Sequence, residues 1–148
     1  MLSIDTNILF AAIEPTNANH PRARAFLESV EARDDVAISE LALLELYVLL
    51  RNPVVLERPL GAGAAARVCQ AFRCHPRWQV VGFPPDSRAF HDAFWPRLAN
   101  EGLARRRAYD WRMALCLQSH GVDELATVNT RDFEGVGFRR VWNPLAAS

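Results

Sequence analysis

Lysine is missing from this chain altogether, and all 17 basic residues are arginine. That absence excludes a P-loop phosphate grip, Schiff-base chemistry and a Ser–Lys dyad, each of which needs the amine. Cysteine is scarce as well. Cys69, Cys74 and Cys116 are odd in number and lack CxxC spacing. They are expected to be buried free thiols in a reduced compartment, and Cys69, Cys74 and His75 lack the second pair a zinc site requires. His20, His75, His91 and His120 show no HxxxH pairing and read as structural or surface residues. No apolar run is long enough to span a bilayer, and the N-terminus carries no basic region followed by a small-residue cleavage site. The expected location is therefore cytoplasmic, with no membrane partner. Net charge is zero, so any nucleic-acid binding must come from a local patch.

What is present is one domain's worth of chain, 148 residues with half of them hydrophobic. Residues 1–5 read as a buried strand, followed by a helix from Asn7 to about Ile13 that stops near Pro15. His20-Pro21 opens a second helix, with Ala23, Phe26, Leu27 and Val30 at helical spacing. Val36-Ala37-Ile38 reads as a strand, and Ser39 as the N-cap of a helix that Asn52-Pro53 ends near Arg51. Leu56 to Leu60 is irregular. Gly61 to Phe72 reads as helix, Trp78 to Phe83 as strand, and Pro84-Pro85-Asp86 as the start of a helix reaching Leu98. Ala108 to Ser119 is a further helix stopped by His120-Gly121. Leu125 to Val128 and Phe138 to Trp142 are the last strands. Apolar strands alternating with helices imply an α/β fold, a mostly parallel sheet covered on both faces. Ligands in such folds bind beyond the carboxyl ends of the strands. Asp5 and Asn129 both follow strands and so share that end.

Several polar residues fall where strands and helices meet the core, and a carboxylate there is unfavourable unless a cation compensates it. Asp5 ends the first strand; it either caps the following helix or faces the crevice. Glu45 lies among Leu41, Leu44, Val48 and Leu49, on or beside a core-facing stripe, as a buried ion-pair partner or an active acid. Glu40 sits in the first turn and mainly complements the helix dipole. Asp110 aligns with Ala114 and Leu117, and the helix N-terminus is expected to keep it ionised. Asn129 and Asp132 lie in Thr127-Val128-Asn129-Thr130-Arg131-Asp132-Phe133. They either bond the local backbone or act in a site, Asn129 orienting water and Asp132 positioning Arg131 or supporting the turn. Arg105-Arg106-Arg107 is a solvated run or, being close to Asp110, a phosphate contact. Converging carboxylates with few basic partners point to a hard divalent metal and phosphoryl chemistry.

Taken together, Ile4-Asp5-Thr6-Asn7-Ile8-Leu9, Ser39 with Glu45-Leu46, Asp110 with Ala114 and His120-Gly121, and the Thr127–Phe133 segment resemble the PIN domain. Within it they are most similar to the VapC-like toxin ribonucleases of type II toxin–antitoxin systems. Arg51-Asn52-Pro53 and Glu57-Arg58-Pro59-Leu60 look like a connection found in one subgroup. The resemblance spans essentially the whole chain, residues 1–148, and rests on order and spacing rather than on one motif. It implies a three-layer fold with strand order 3-2-1-4-5 and an acidic crevice for Mg²⁺, with Mn²⁺ as substitute. Asp5 and Asp110 would be the principal ligands and Glu45 the further acid, direct or through water. Asn129 takes the place where many members carry a fourth Asp, with Thr6, Asn7, Thr127 and Asp132 in support. Trp111 would narrow the cleft or stack a base. Arg105, Arg106, Arg107 and Arg131 would contact RNA. The implied chemistry is metal-assisted hydrolysis of phosphodiester bonds. The implied partners are RNA, a small antitoxin protein and a second copy of the chain.

Two other enzyme readings fail on named residues. A dehalogenase-type phosphatase needs Asp where this chain has Asn7, and both that fold and a receiver domain want a lysine. A non-enzyme reading stays open: a PIN-like module that binds RNA or protein with metal binding too weak for turnover, as the loss of acid at Asn129 would allow.

Overall fold

The computed structural model describes residues 1–147. Five short strands, β1 Leu2–Ile4, β2 Ala37–Ser39, β3 Gln79–Val81, β4 Glu124–Ala126 and β5 Arg140–Trp142, are all paired in parallel. β3 pairs with β2, and β1 pairs with β4, which pairs with β5. A single parallel bridge between Leu2 and Val36 joins the two sets, so the order across the sheet is 3-2-1-4-5. Every residue of β1 and β2 is buried, as expected for parallel strands covered on both faces.

The helices are α1 Thr6–Ile13, α2 His20–Val30, α3 Glu40–Leu50, α4 Ala62–Arg73, α5 Ser87–Leu98 and α6 Arg107–Ser119. α1 packs on α2 and α3, and α3 on α4; α5 packs on α6, which also lies against β2. Leu2, Ile4, Ile8, Leu9, Ile38, Leu46, Leu50, Leu117 and Leu125 are essentially inaccessible and form the centre of the core. Among the described residues, no helix is long and apolar enough to cross a membrane.

Local chemistry sets the helix ends that matter for the site. Asp5 caps α1 by accepting from the Thr6 amide, and Ser39 caps α3 through the Leu41 amide. α6 ends in a Schellman turn: Val122 N–H donates to Leu117 O, Gly121 N–H donates to Gln118 O, and Gly121 takes φ +87°. The buried pair Leu117 and Val122 closes that turn with an apolar contact. Both strand ends at the site are shorter than the apolar pattern predicts. β4 ends at Ala126: the Thr127 N–H still donates to Trp142 O, but the Thr127 hydroxyl is given to Asp5 and the Val128 N–H to the Asn7 side chain.

Two expectations about burial are corrected. The buried stripe of α3 is Ala42, Leu43, Leu46 and Leu50, whereas Leu41, Leu44 and Val48 are exposed. Glu45 flanks the buried stripe: it is exposed, yet its Oε2 accepts from the buried Thr6 hydroxyl. Of the cysteines only Cys116 is buried; Cys69 is half-buried and Cys74 exposed, and all three are free. Helical periodicity located α3 correctly, but a helix this rich in leucine has apolar residues on every side and does not announce which side faces inward.

Candidate active site at the carboxyl edge of the sheet

Asp5 follows β1 directly and is almost fully buried. Its Oδ1 accepts from the Thr6 amide at 2.8 Å. Its Oδ2 accepts from the Thr127 hydroxyl at 2.6 Å and from the Asn7 amide nitrogen at 2.9 Å. Asn7 also donates to the Thr127 hydroxyl at 3.1 Å and accepts from the Val128 amide at 3.2 Å. Asn7 and Thr127 thus bind the ends of β1 and β4 together around one carboxylate. The backbone continues the same union, since Asp5 N–H donates to Ala126 O at 2.9 Å. Burial pushes the Asp5 carboxyl above its usual value; the Thr127 and Thr6 donors oppose that, and Glu45 adds to it.

Glu45 reaches the same edge from α3. The buried Thr6 hydroxyl lies 3.0 Å from Glu45 Oε2 and 3.1 Å from Ala42 O, so it bridges α1 and α3. No ion pair to arginine holds Glu45 among the described residues.

Asp110 lies in the first turn of α6. The helix N-terminus does not by itself set the acidity of this carboxyl. Its carboxyl is pushed up to about 6, first by burial, then by the negative charges of Asp132, Asp5 and Glu45, with Arg107 opposing. Helix-end stabilisation is a modest effect, and burial together with three nearby carboxylates outweighs it. These causes also show that the four acids share one electrostatic neighbourhood, although they are far apart in sequence.

Asn129 and Asp132 occupy the single-turn 3₁₀ segment Thr130–Phe133 and its cap. Asn129 is exposed, and its backbone N–H donates to the Thr127 hydroxyl at 3.1 Å. Asp132 was read as a support for the turn; its carboxylate acts on Asp110 more strongly than those of Asp5 or Glu45. Sequence order concealed this, because the site sees Asp132 only after the segment coils into a 3₁₀ turn.

The arginine run divides. Arg107 donates to Asp132 O at 3.0 Å and to Glu134 O at 2.9 Å, and its guanidinium stands 5.5 Å from the Trp111 ring centre. It pins the Asn129–Glu134 segment to α6, which corrects its reading as a phosphate contact. Arg105, Arg106 and Arg131 are exposed and make no ion pair among the described residues. Trp111 is buried with Arg97 and Arg107 against its ring, which leaves no open face to stack a base. The Arg107 clamp was missed; no pattern in the sequence pairs it with backbone carbonyls 25 and 27 residues on.

Among the described residues, no three carboxylate, imidazole or thiolate side chains already converge tightly enough to enclose an ion. The donor set nonetheless suits a hard divalent cation. It is all oxygen and all acidic, and the mutual repulsion that raises Asp110 is relieved by positive charge. An ion that keeps much of its water shell and takes one or two direct carboxylates needs no closed protein cage.

A three-layer parallel sheet in the order 3-2-1-4-5, with acids from β1, α3, α6 and the turn after β4 gathered at its carboxyl edge, defines a PIN domain, and the PIN-domain sequence profile matches residues 2–138. The chain belongs to that family. Within it the chain is 48% identical over 147 residues to Ribonuclease VapC24 of Mycobacterium tuberculosis, with 99% of each chain covered. It is thus a homologue of the VapC ribonucleases. Two solved structures share the fold. VapC20 of Mycobacterium tuberculosis, a toxin described as cleaving the sarcin–ricin loop, superposes with a TM-score of 0.68 at 19% identity, covering 93% of this chain and 96% of that one. VapBC2 of Rickettsia felis, solved on a DNA fragment from its promoter, gives 0.66 at 19% identity over 96% and 97%.

Proposed function

We propose that this chain is a metal-dependent endoribonuclease and the toxin of a VapBC-type pair. The observation that carries the reading is the grouping of Asp5, Glu45, Asp110 and Asp132 at one edge, with the raised Asp110 carboxyl as its electrostatic sign. Asp5 and Asp110 are assigned as principal ligands for Mg²⁺, or Mn²⁺ in its place, with Glu45 and Asp132 completing the shell directly or through water. When bound, the ion supplies Lewis-acid activation of water and neutralises charge on the phosphodiester.

The chain's own contribution is positioning. Thr127, Asn7 and the Thr6 amide hold the Asp5 carboxylate in one orientation. The Thr6 hydroxyl steadies Glu45. Arg107 fixes the turn that carries Asp132. Asn129 orients water at the edge of the site. Arg105, Arg106 and Arg131 supply positive charge for the RNA backbone outside the acidic centre. A small antitoxin protein and a second copy of the chain are the proposed protein partners. The exposed apolar row Leu41, Leu44 and Val48, on the same helix as Glu45, supports a surface covered by protein.

The non-catalytic reading draws on the missing acid at Asn129; the charge of Asp132 beside Asp110 supports the catalytic reading over it. The deciding experiment incubates antitoxin-free protein with total RNA in Mg²⁺, in Mn²⁺ and in EDTA, beside Asp5→Ala and Asp110→Ala. Cleavage that needs metal and both aspartates is expected. Folded, metal-supplemented protein that leaves all RNA intact overturns the reading, and cleavage that survives both substitutions overturns the site.

A further inference from the structure

Tyr109 is the most exposed aromatic residue beside the acidic centre, at 83% accessible. It is not exposed because it sits on the outer face of α6. Tyr109, Met113 and Cys116 fall at i, i+4 and i+7, one stripe of the helix. Met113 and Cys116 are buried, and the Cys116 thiol donates to Gly82 O at 2.7 Å, just past the end of β3. Cys116 also packs against Phe90 and Phe94 of α5, so the stripe faces the seam between α5 and the β3 side of the sheet. Seven residues separate Cys116 from Tyr109, about 10 Å along the axis. Cys116 is already level with the carboxyl end of β3, so at Tyr109 the sheet has ended. The ring overhangs the carboxyl edge on the β3 side.

The start of α3 lies against Gly82. Glu40 packs onto Gly82 so closely that a Cβ there would lie 2.9 Å from its carboxylate. Asp110, the next residue after Tyr109, shares its electrostatic surroundings with the other acids, and Arg106, the N-cap residue of α6, precedes Tyr109 by three residues. Arg106 is exposed and has no hydrogen-bond or ion-pair partner among the described residues. A free aromatic face with a free guanidinium one turn away matches one unpaired nucleotide, its base on the ring and its phosphate on the cation.

We propose that Tyr109 and Arg106 form a nucleotide subsite that grips single-stranded RNA next to the scissile bond. Tyr109 takes the stacking role the sequence had assigned to Trp111. The proposal rests on the RNA-cleaving reading for the identity of its ligand. Because a ring stacks on any base, the subsite selects unpaired RNA rather than a base sequence.

The test is fluorescence anisotropy with a short, mixed-sequence, labelled single-stranded RNA in EDTA, where no cleavage proceeds, and with its duplex as control. Tyr109→Ala is expected to weaken single-strand binding about 5- to 100-fold. Tyr109→Phe restores it, and the duplex shows no such dependence. In Mg²⁺ the alanine variant raises KM more than it lowers kcat, and its melting temperature matches the parent because the ring is exposed. Single-strand affinity unchanged by Tyr109→Ala overturns the subsite, including the case where only neutralisation by a partner protein is lost. A parent protein that binds single strands through Tyr109 but cuts nothing overturns the nuclease reading and upholds the subsite.

Discussion

Replacing Asp110 by asparagine is expected to make the metal-free protein more stable while abolishing cleavage. Asp110 is a carboxyl whose folded-state value, about 6, lies above the ordinary 3.8. For an acid raised in this direction the folded state holds its proton more tightly than the unfolded chain. The resulting penalty is absent below about pH 4, grows between about pH 4 and 6, and is complete above about pH 6. The gap sets a ceiling of about 3 kcal/mol, at about 1.4 kcal/mol per tenfold change in proton affinity. Asp110 is only half-buried, so solvent screening reduces the expected gain to about 1 kcal/mol. The assay is urea unfolding in EDTA, parent against Asp110→Asn, at pH 7.5 and at about pH 3.5, below the ordinary carboxylate value. The variant should be more stable at the higher pH and no different at the lower. Adding Mg²⁺ should reverse the order, since an ion bound only by the folded parent stabilises it through linkage. A variant less stable than the parent at pH 7.5 in EDTA, or a difference that ignores pH, would refute the electrostatic account of the site.

Two further substitutions probe the residues that position the acids. Thr127→Val keeps the shape of a fully buried side chain and removes the 2.6 Å donor to Asp5. It should cost about 2 kcal/mol in urea unfolding at neutral pH, push the Asp5 carboxyl further up, and weaken Mn²⁺ binding by calorimetry. Unchanged stability would show that Asn7 and the Thr6 amide together satisfy Asp5. Arg107→Ala removes two hydrogen bonds to carbonyls and the contact with Trp111. It should lower stability by about 2 kcal/mol, whereas Arg105→Ala should leave melting unchanged and lower the salt slope of RNA binding by about 1. Equal behaviour of the two variants would remove the distinction between clamp and RNA contact.

Much of this protein is legible in its sequence because local physics sets it. Short β-rich apolar runs separated by capped helices place all five strands, and Ser39, Pro21 and Gly121 mark helix ends through hydrogen bonding and φ preference alone. Asp5 and Asp110 are readable as site candidates because each sits where an element begins or ends. Errors cluster where an outcome depends on which neighbour arrives. Trp111 and Tyr109 are two residues apart on one helix; one is buried under two arginines and the other stands free, and no local rule separates them. Arg107 differs from Arg105 and Arg106 only because the turn after β4 comes within its reach.

The sequence by itself determined the elements, their order, the family and the identity of most of the acids, since these follow from hydrophobic period, caps and strand-end placement. Only the tertiary structure decided which side of α3 faces inward, that Asp132 joins the acidic centre, and that the first turn of α6 runs past the end of the sheet. Those facts are set by packing between segments that lie 25 to 39 residues apart in the chain. Electrostatic coupling and burial depend on distance in space, and chain order does not encode that distance.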